Sequence, residues 1–349
     1  MQRLRRSDPS LPGITRRRAG KGFTYLDEAG ERITDGETIA RIRALAIPPA
    51  WTDVWICPLP NGHLQAVGFD AAGRRQYRYH DRWRTRRDQQ KFDRMLEFAK
   101  ALPRLREVTT EHLARDDLTR ERVLACAVRL LDRGFFRIGS ESYAEEHGTY
   151  GLATMKSSHV TLGPDGLVEF EYPAKGRKER YQAIVDPAVH DVVAQLKRRR
   201  GDPDLLAYRA GRRWHDVRSD DINDYLKDIA GDDYSAKDFR TWHGTVLAAV
   251  ALAVAAPASR SKTAAKRAMA WAVKDVSQDL GNTPAVCRAS YIDPRVFDRY
   301  RSGWTISGVL DEVGHDRRDD PGSQGTIEAA VVDLIRGDRS SNALERTAA

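Results

Sequence analysis

The period of the hydrophobic pattern changes once along this 349-residue chain, and that change constrains the fold more than any other feature. In residues 23–80, short alternating runs are separated by turn signals such as Asn-Gly-His and Ala-Ala-Gly, which indicates β-strands. From Lys91 onward, apolar residues recur at helical spacing, beginning with KFDRMLEFAKAL. At about 150 residues per domain, the length predicts roughly two domains. We therefore expect an α+β protein, with a small, mostly antiparallel β domain before a larger, mainly helical one.

The segment DRWRTRRDQQ, residues 81–90, is polar and basic and has almost no apolar periodicity. We place the domain boundary there, so that residues 1–90 and 91–349 form separate domains joined by a hinge. Residues 1–22 are rich in Arg, Pro and Gly, which predicts a mobile basic arm.

The helical pattern of the second domain is interrupted at LATMKSSHVTLGPDGLVEFEYPAKGRKERYQAIV, where a strong turn and alternation predict a three-stranded antiparallel sheet. Helices then return, and we expect one of them to have Ser219 as N-cap and Gly231 as C-cap. The most apolar run, residues 244–256, is shorter than the roughly 20 residues needed to span a bilayer. It is typical of a buried core helix, and we expect no membrane partner.

The charge of the chain is uneven. The net charge is +8, and residues 1–90 hold 17 basic and 10 acidic side chains, a net charge of +7. A basic N-terminal region indicates a polyanionic partner, with nucleic acid first, although a merely soluble cationic surface would show the same excess.

Three widely spaced cysteines provide neither a disulfide framework nor a C-x-x-C zinc pair, which fits a reducing interior. The sequence contains no glycine-rich phosphate loop, so no motif indicates a nucleotide cofactor.

Four short segments contain candidate functional residues. Arg137 lies in RGFFRIGSESY, Lys175 at a hairpin tip in EYPAKGRKERY, and Arg240 in SAKDFRTWHGT, while LGNTPAVCRASYIDP places Asn282 nine residues before Tyr291. Each segment taken alone favours an ordinary role: an ion-paired arginine, a basic turn, an internally paired arginine, or a helix N-cap with a core or rim tyrosine.

Taken in order, the segments resemble the type IB DNA topoisomerases, most closely the compact poxvirus-like branch with bacterial members. That family has RIG, a lysine in a GKD-like hairpin tip, D-[LF]-R-T and G-[HN]-T-P-A. Eight residues then separate the [HN] position from a tyrosine. All five positions occur here in that order. GRRQYRYHD, in the first domain, is similar to the family's GKRQY-x-Y segment, and the resemblance covers about residues 20–310.

The resemblance implies a transesterification in which Tyr291 attacks a phosphodiester, expels a 5′-hydroxyl and forms a 3′-phosphotyrosyl bond. Arg137 and Arg240 would hold the two non-bridging oxygens, and Lys175 would protonate the leaving oxygen. Asn282 would donate a further hydrogen bond where poxvirus enzymes usually have histidine. A phenol with a pKa of about 10 is a poor nucleophile at neutral pH, so the scheme needs the cationic field of these side chains.

The resemblance also implies that the chain relaxes supercoiled DNA without metal, ATP or any other cofactor, because the phosphotyrosyl bond conserves the energy for resealing. Gln76, Tyr77 and Tyr79 match positions that contact DNA in the family, and the period of a strand puts the two tyrosines on one side. We expect a cytoplasmic, nucleoid-associated monomer whose two domains form a C-shaped clamp around duplex DNA.

Two other functions fit parts of the pattern. A tyrosine recombinase shares the chemistry, but typically has histidine two residues before its second arginine, whereas His243 follows Arg240 here. A non-catalytic DNA-binding protein with the same fold would be expected to lack one of the five residues, and all five are present.

Overall fold

The computed structural model describes residues 3–201, 203–256, 261–313 and 321–346. The chain divides into two compact units, Met1–Asp93 and Arg94–Ala349. The first consists mainly of β-strands and the second mainly of helices, so the predicted α+β class is confirmed.

The first unit is built on a five-stranded antiparallel sheet with the strand order β2-β1-β3-β4-β5. Its strands are β1 (Ile14–Ala19), β2 (Gly22–Leu26), β3 (Thr52–Ile56), β4 (Leu64–Phe69) and β5 (Arg75–Tyr79). Helix α1 (Gly36–Ala44) lies between β2 and β3 in the chain. Ile42 of α1 packs with Ile14, Ile56 and other apolar side chains of the sheet to form the core. β5 is an edge strand, so it pairs with another strand of the sheet on one side only.

The predicted mobile arm is wrong for residues 14–19, which form β1. A Gly20-Lys21 turn, with Gly20 at a φ of +56°, pairs this strand with β2. The run of arginines suggests solvated charge and so gives no strand signal, but Arg16 is bound within the unit. Its guanidinium lies 4.1 Å from the centroid of the Phe23 ring and donates to the carbonyl of Trp51.

Residues 81–90, where the domain boundary and hinge are predicted, form the first turns of α2 (Asp81–Leu113), a 33-residue helix, and a hinge there stays a prediction. Polar residues such as Arg, Gln and Lys are good helix formers even without an apolar face, and Asp81 lies in the first turn, where a negative charge is favourable. Further along, the helix continues through Pro103 and buries Met95 and Phe98.

The second unit contains ten more helices and three small sheets among the described residues. Its helices are α3 (Arg120–Gly134), α4 (Glu141–His147), α5 (Pro187–Leu196), α6 (Ser219–Ala230), α7 (Ala236–Ala255), α8 (Lys262–Asp279), α9 (Pro284–Ser290), α10 (Pro294–Arg301), α11 (Ser307–Val313) and α12 (Pro321–Arg336). Strands β6 (Val160–Leu162), β7 (Leu167–Ala174) and β8 (Lys178–Val185) form the predicted three-stranded antiparallel sheet. Two unpredicted pairs are β9 (Ala207–Ala210) with β10 (Arg213–Asp216), and β11 (Trp304–Thr305) with β12 (Glu345–Arg346).

Helix α7 is the centre of the second unit, as the apolar run at 244–256 predicts. It packs against α3, α8, α10, α11 and α12 and buries Phe239 and Trp242 completely. None of the helices in the described ranges is long and apolar enough to cross a membrane.

The caps of α6 differ from the prediction at one end. Gly231 is the C-cap, as expected, but the N-cap is Arg218 and not Ser219. Ser219 is engaged elsewhere, because its backbone N–H and its hydroxyl both donate to the Glu141 carboxylate of α4.

Candidate active site

The C-terminal end of α8 forms the frame of the site. The N–H of Asn282 donates to the Ser277 carbonyl and the N–H of Gly281 donates to Gln278, with Gly281 in the left-handed conformation at a φ of +59°. This is the Schellman arrangement, which ends a helix but leaves carbonyls of its last turn without N–H partners. These carbonyls lie at the negative end of the helix dipole and therefore attract cations.

Three arginines from three other elements donate to this turn. Arg240 Nη2, from α7, lies 2.6 Å from the Leu280 carbonyl oxygen. Arg137 Nη2 lies 2.6 Å from the Gly281 carbonyl oxygen. Arg180, from β8, donates to the two preceding carbonyls of the same turn. The turn thus gathers guanidinium groups that would otherwise repel one another.

Arg137 is placed by the tight loop that follows α3. Phe135 has a φ of +56° and turns the chain out of the helix, and Gly139 has a φ of +89°. Gly139 packs directly on Gly151, since a Cβ at Gly151 would lie 2.4 Å from the Gly139 Cα. The Arg137 carbonyl accepts a hydrogen bond from the N–H of Leu152, which fixes the backbone at the arginine.

Arg240 is buried in the first half of α7, and its Nη1 donates to the Phe135 carbonyl at 2.7 Å. Burial and the nearby charge of Arg137 lower its pKa to about 10. The guanidinium therefore stays protonated at neutral pH. Its Nε is buried and has no acceptor among the described residues.

Tyr291 lies immediately after α9, with its ring centroid 5.2 Å from the Arg240 guanidinium carbon. The helix begins with Thr283 as N-cap and Pro284 at N1, as the NTP sequence predicts. Gly244 of α7 lets the Tyr291 backbone approach closely, because a Cβ there would lie 2.7 Å from the Tyr291 carbonyl oxygen. The nucleophile candidate is thus held against the helix that carries Arg240.

The orientation of the Asn282 amide follows from its neighbour. Arg137 Nη2 lies 2.7 Å from Asn282 Oδ1, and a guanidinium can only donate, so the oxygen of the amide must face it. The Nδ2 is then buried without an acceptor among the described residues. The site therefore contains two unsatisfied buried donors, Asn282 Nδ2 and Arg240 Nε.

Lys175 stands apart from this cluster. It is exposed at the tip between β7 and β8, as predicted, where Gly176 and Arg177 both have positive φ. Within the described part of the chain it forms no hydrogen bond or ion pair. The structure thus brings together Arg137, Arg240, Asn282 and Tyr291, and leaves Lys175 on a free hairpin tip.

The candidate DNA contacts of the first unit divide between two faces of β5. Tyr77 and Tyr79 share one face, as the strand period predicts, and are 45% and 40% exposed with stacked rings 6.1 Å apart. Arg75 lies over the Tyr77 ring. Gln76 points to the other side, where its amide donates to the Asp70 carboxylate at 2.9 Å.

Comparison with known families agrees with this geometry. Residues 80–307 match the family described as the catalytic core of eukaryotic DNA topoisomerase I. The chain belongs to the type IB DNA topoisomerase family. Residues 22–70 also match the N-terminal domain of bacterial DNA topoisomerase IB, so the family resemblance and the predicted enzyme class are confirmed.

Relatives of this type IB topoisomerase include viral and eukaryotic proteins. The DNA topoisomerase 1B of Acanthamoeba polyphaga mimivirus is 27% identical over 299 residues, covering 84% of this chain and 88% of the relative. The vaccinia virus DNA topoisomerase 1B is 26% identical over 43% of this chain and 49% of its own. The Schizosaccharomyces pombe DNA topoisomerase 1 is 31% identical over 38% of this chain but only 15% of its own length.

The family assignment favours the topoisomerase over the recombinase. The ion-pair alternative for Arg137 is not what the structure shows, because this arginine has no carboxylate partner among the described residues. Arg240 is paired internally, with the Phe135 and Leu280 carbonyls, and it too has no carboxylate partner in those ranges. In the same ranges, no group of three or more His, Cys, Asp or Glu side chains could hold a metal ion.

Sequence analysis missed Arg180, the third arginine of the cluster. The basic run KGRKER suggests solvated surface charge. The strand period was the signal that could have found it, because Arg180 alternates inward with Gln182 and pairs opposite the buried Tyr172. A basic residue on the inward face of a strand needs acceptors, and the turn of α8 provides them.

Proposed function

We propose that this type IB topoisomerase relaxes supercoiled duplex DNA by cleaving one strand through a covalent bond to Tyr291, and then resealing it. The observation that carries the proposal is the pair of unsatisfied buried donors, Arg240 Nε and Asn282 Nδ2. The Arg240 guanidinium lies beside the Tyr291 ring, and the Asn282 amide is bound to Arg137. A buried donor without a partner costs roughly 1–3 kcal/mol. A bound phosphodiester would supply the missing acceptors, and also a counter-charge for Arg137 and Arg240, which have no carboxylate partner in the part of the chain that the structure describes.

In the proposed reaction, the Tyr291 phenol gives its proton to water and its oxygen forms a bond to phosphorus, while the bond from phosphorus to the 5′-oxygen breaks. Negative charge grows on the non-bridging oxygens in the transition state, where Arg137, Arg240 and Asn282 would donate hydrogen bonds. The hydrogen bonds of Arg137 support its part in this scheme. Arg137 uses only one terminal nitrogen on the α8 turn, so its guanidinium keeps donors for a phosphate oxygen.

Lys175 would give its proton to the leaving 5′-oxygen. A lysine ammonium is a compact donor on a flexible stem, and the exposed hairpin tip lets it reach a substrate without first breaking a bond to the protein. Resealing is the reverse reaction, in which the 5′-hydroxyl returns its proton and attacks the phosphotyrosyl bond. Because one phosphoester bond replaces another, no ATP is consumed.

For the first unit, we propose that Tyr77 and Tyr79 contact duplex DNA. Their exposed, stacked rings beside Arg75 support this assignment, since aromatic hydroxyls and arginines are common partners of the sugar-phosphate backbone. A DNA contact by Gln76 stays a prediction, and it would require the amide to leave the Asp70 carboxylate. We further propose that residues 1–90 and 91–349 act as separate DNA-binding and catalytic domains of a monomer at the bacterial nucleoid.

Incubation with supercoiled plasmid in EDTA, without ATP, tests the proposed function. We expect relaxed topoisomers and, after denaturation, a covalent protein–DNA adduct that peptide mapping assigns to Tyr291. The Tyr291→Phe variant should bind duplex DNA normally but form no adduct. Site-dependent strand exchange would instead support a recombinase, and a gel shift without cleavage would support a non-catalytic binding protein.

A further inference from the structure

Arg180 is half-buried in the active-site cluster but has no place in the proposed chemistry. Its Nη1 donates to the Gln278 carbonyl at 2.7 Å, and its Nη2 donates to the Asp279 carbonyl. Both terminal nitrogens are therefore engaged by the protein. In this it differs from Arg137, which uses only one terminal nitrogen on the turn. Arg240 also has both terminal nitrogens on backbone carbonyls, but its Nε is a buried donor without an acceptor among the described residues, and Arg180 has no such donor there.

The turn that Arg180 holds is the one that orients the rest of the site. The next carbonyls along the chain, of Leu280 and Gly281, accept from Arg240 and Arg137, and the next residue is Asn282. Gly281 lies directly on the Arg180 side chain, since a Cβ there would be 3.2 Å from its Nη1. A shift of this turn would move three donors of the proposed phosphate site together.

A third guanidinium at this place is electrostatically costly. Burial lowers the pKa of Arg180, and the charge of Arg137 lowers it further. Arg137 and Arg180 in turn both lower the pKa of Arg240. The α8 carbonyls offset part of this repulsion, but a neutral side chain on β8 would avoid it altogether. The cost is explained if the arginine fixes the geometry of the turn.

We propose that Arg180 is a positioning residue, which fixes the C-terminal turn of α8 so that Arg137, Arg240 and Asn282 present their free donors to one phosphate. It also joins that turn to the hairpin whose tip carries Lys175, because Arg180 lies on β8, five residues after the lysine. The inference rests on the proposed function and adds to it a residue that acts without touching the substrate.

A helix-capping arginine elsewhere in the unit provides a matched control. Arg299 donates from its Nε to the Leu334 carbonyl at 3.0 Å and from its Nη2 to the Ile335 carbonyl at 3.4 Å, at the C-terminal end of α12. It makes the same kind of contact as Arg180 but away from the proposed phosphate site. If Arg180 only stabilises a helix end, the two alanine variants should behave alike.

The test compares full-length Arg180→Ala, Arg180→Lys and Arg299→Ala by melting temperature, duplex affinity and single-turnover cleavage at saturating protein. We expect Arg180→Ala to cleave about 10- to 100-fold more slowly at unchanged Kd, because a misplacement of about 1 Å can cost that much. Arg299→Ala should cleave at the wild-type rate with a similar loss of melting temperature. Arg180→Lys, which keeps the cation but not the fork, should recover part of the rate.

A double-mutant cycle with Asn282→Ala separates positioning from an independent effect. If Arg180 acts through the turn that carries Asn282, the loss in the double variant should be smaller than the product of the two single losses. It should still exceed the loss of Asn282→Ala alone, because the same turn also places Arg137 and Arg240. Losses that multiply fully would overturn the inference, as would an Arg180→Ala protein that cleaves at the wild-type rate. If the alanine variant does not fold, Arg180→Lys decides: wild-type cleavage by this variant overturns the inference. A wild-type protein that forms no adduct overturns the proposed function and this inference with it.

Discussion

Arg137 and Asn282 are 145 residues apart in the chain, and Nη2 of the arginine lies 2.7 Å from the amide oxygen of the asparagine. This single contact settles which way the amide faces, and it leaves Nδ2 as the donor directed away from the cation. A histidine at this position would present a ring nitrogen and could titrate, whereas the asparagine provides a fixed, neutral donor.

The first prediction concerns that donor. Asn282→Asp keeps an oxygen for Arg137 and nearly the same shape, but replaces the free N–H group with a second negative oxygen. We expect single-turnover cleavage to fall about 10²- to 10³-fold, the usual effect of losing one transition-state donor. Asn282→His keeps a donor and should stay within about tenfold of wild type. Wild-type cleavage by the aspartate variant would show that Nδ2 does not contact the phosphate.

The second prediction concerns the two arginines of the proposed phosphate site. Arg137→Ala and Arg240→Ala should each slow cleavage of a labelled duplex by at least about a hundredfold, since an oxyanion donor contributes roughly 3–4 kcal/mol. Lysine at either position should restore only part, because a point charge lacks the two-pronged geometry. Arg301→Ala, which removes an exposed arginine paired with Asp298, is the control and should cleave normally. Losses below tenfold at Arg137 or Arg240 would indicate a structural role.

The third prediction tests Lys175 as the general acid. Lys175→Ala should cleave an ordinary duplex slowly, but should cleave a duplex with a sulfur in place of the bridging 5′-oxygen at close to the wild-type rate. A thiol has a pKa of about 8.5, so the thiolate leaves without protonation. Lys178→Ala, on the same hairpin, should behave as wild type with both substrates. Rescue confined to the Lys178 variant would move the general acid along the hairpin.

The fourth prediction separates DNA contact from chemistry in the first unit. Tyr77→Ala and Tyr79→Ala should each raise the Kd for duplex DNA roughly two- to tenfold, which corresponds to about 0.5–1.5 kcal/mol per lost hydrogen bond. Cleavage at saturating DNA should not change. Tyr181→Ala is the control, because Tyr181 is also an exposed strand tyrosine but lies on the second unit's sheet. Equal affinity for all three variants and wild type would exclude contact by this face of β5.

The sequence predicts much of the local structure, since these features depend on neighbours along the chain. Alternation predicts β3, β4, β5 and the β6-β7-β8 sheet, and the NTP sequence predicts the start of α9 at Thr283. Its failures occur where the local signal is weak. The arginines of residues 16–18 obscure β1, and the absence of an apolar face obscures the first turns of α2, because strand pairing and tertiary packing override weak local signals.

By itself, the sequence determined the family, because the order and spacing of RIG, the hairpin lysine, FRTWH, GNTPA and the tyrosine can be read without a fold. Only the tertiary structure decided which atoms are free to act. The Schellman turn at Gly281 presents backbone carbonyls to Arg137, Arg180 and Arg240, which come from segments far apart in the chain. Hydrogen bonds of this kind depend on which elements pack together, and residue spacing along the chain does not record that.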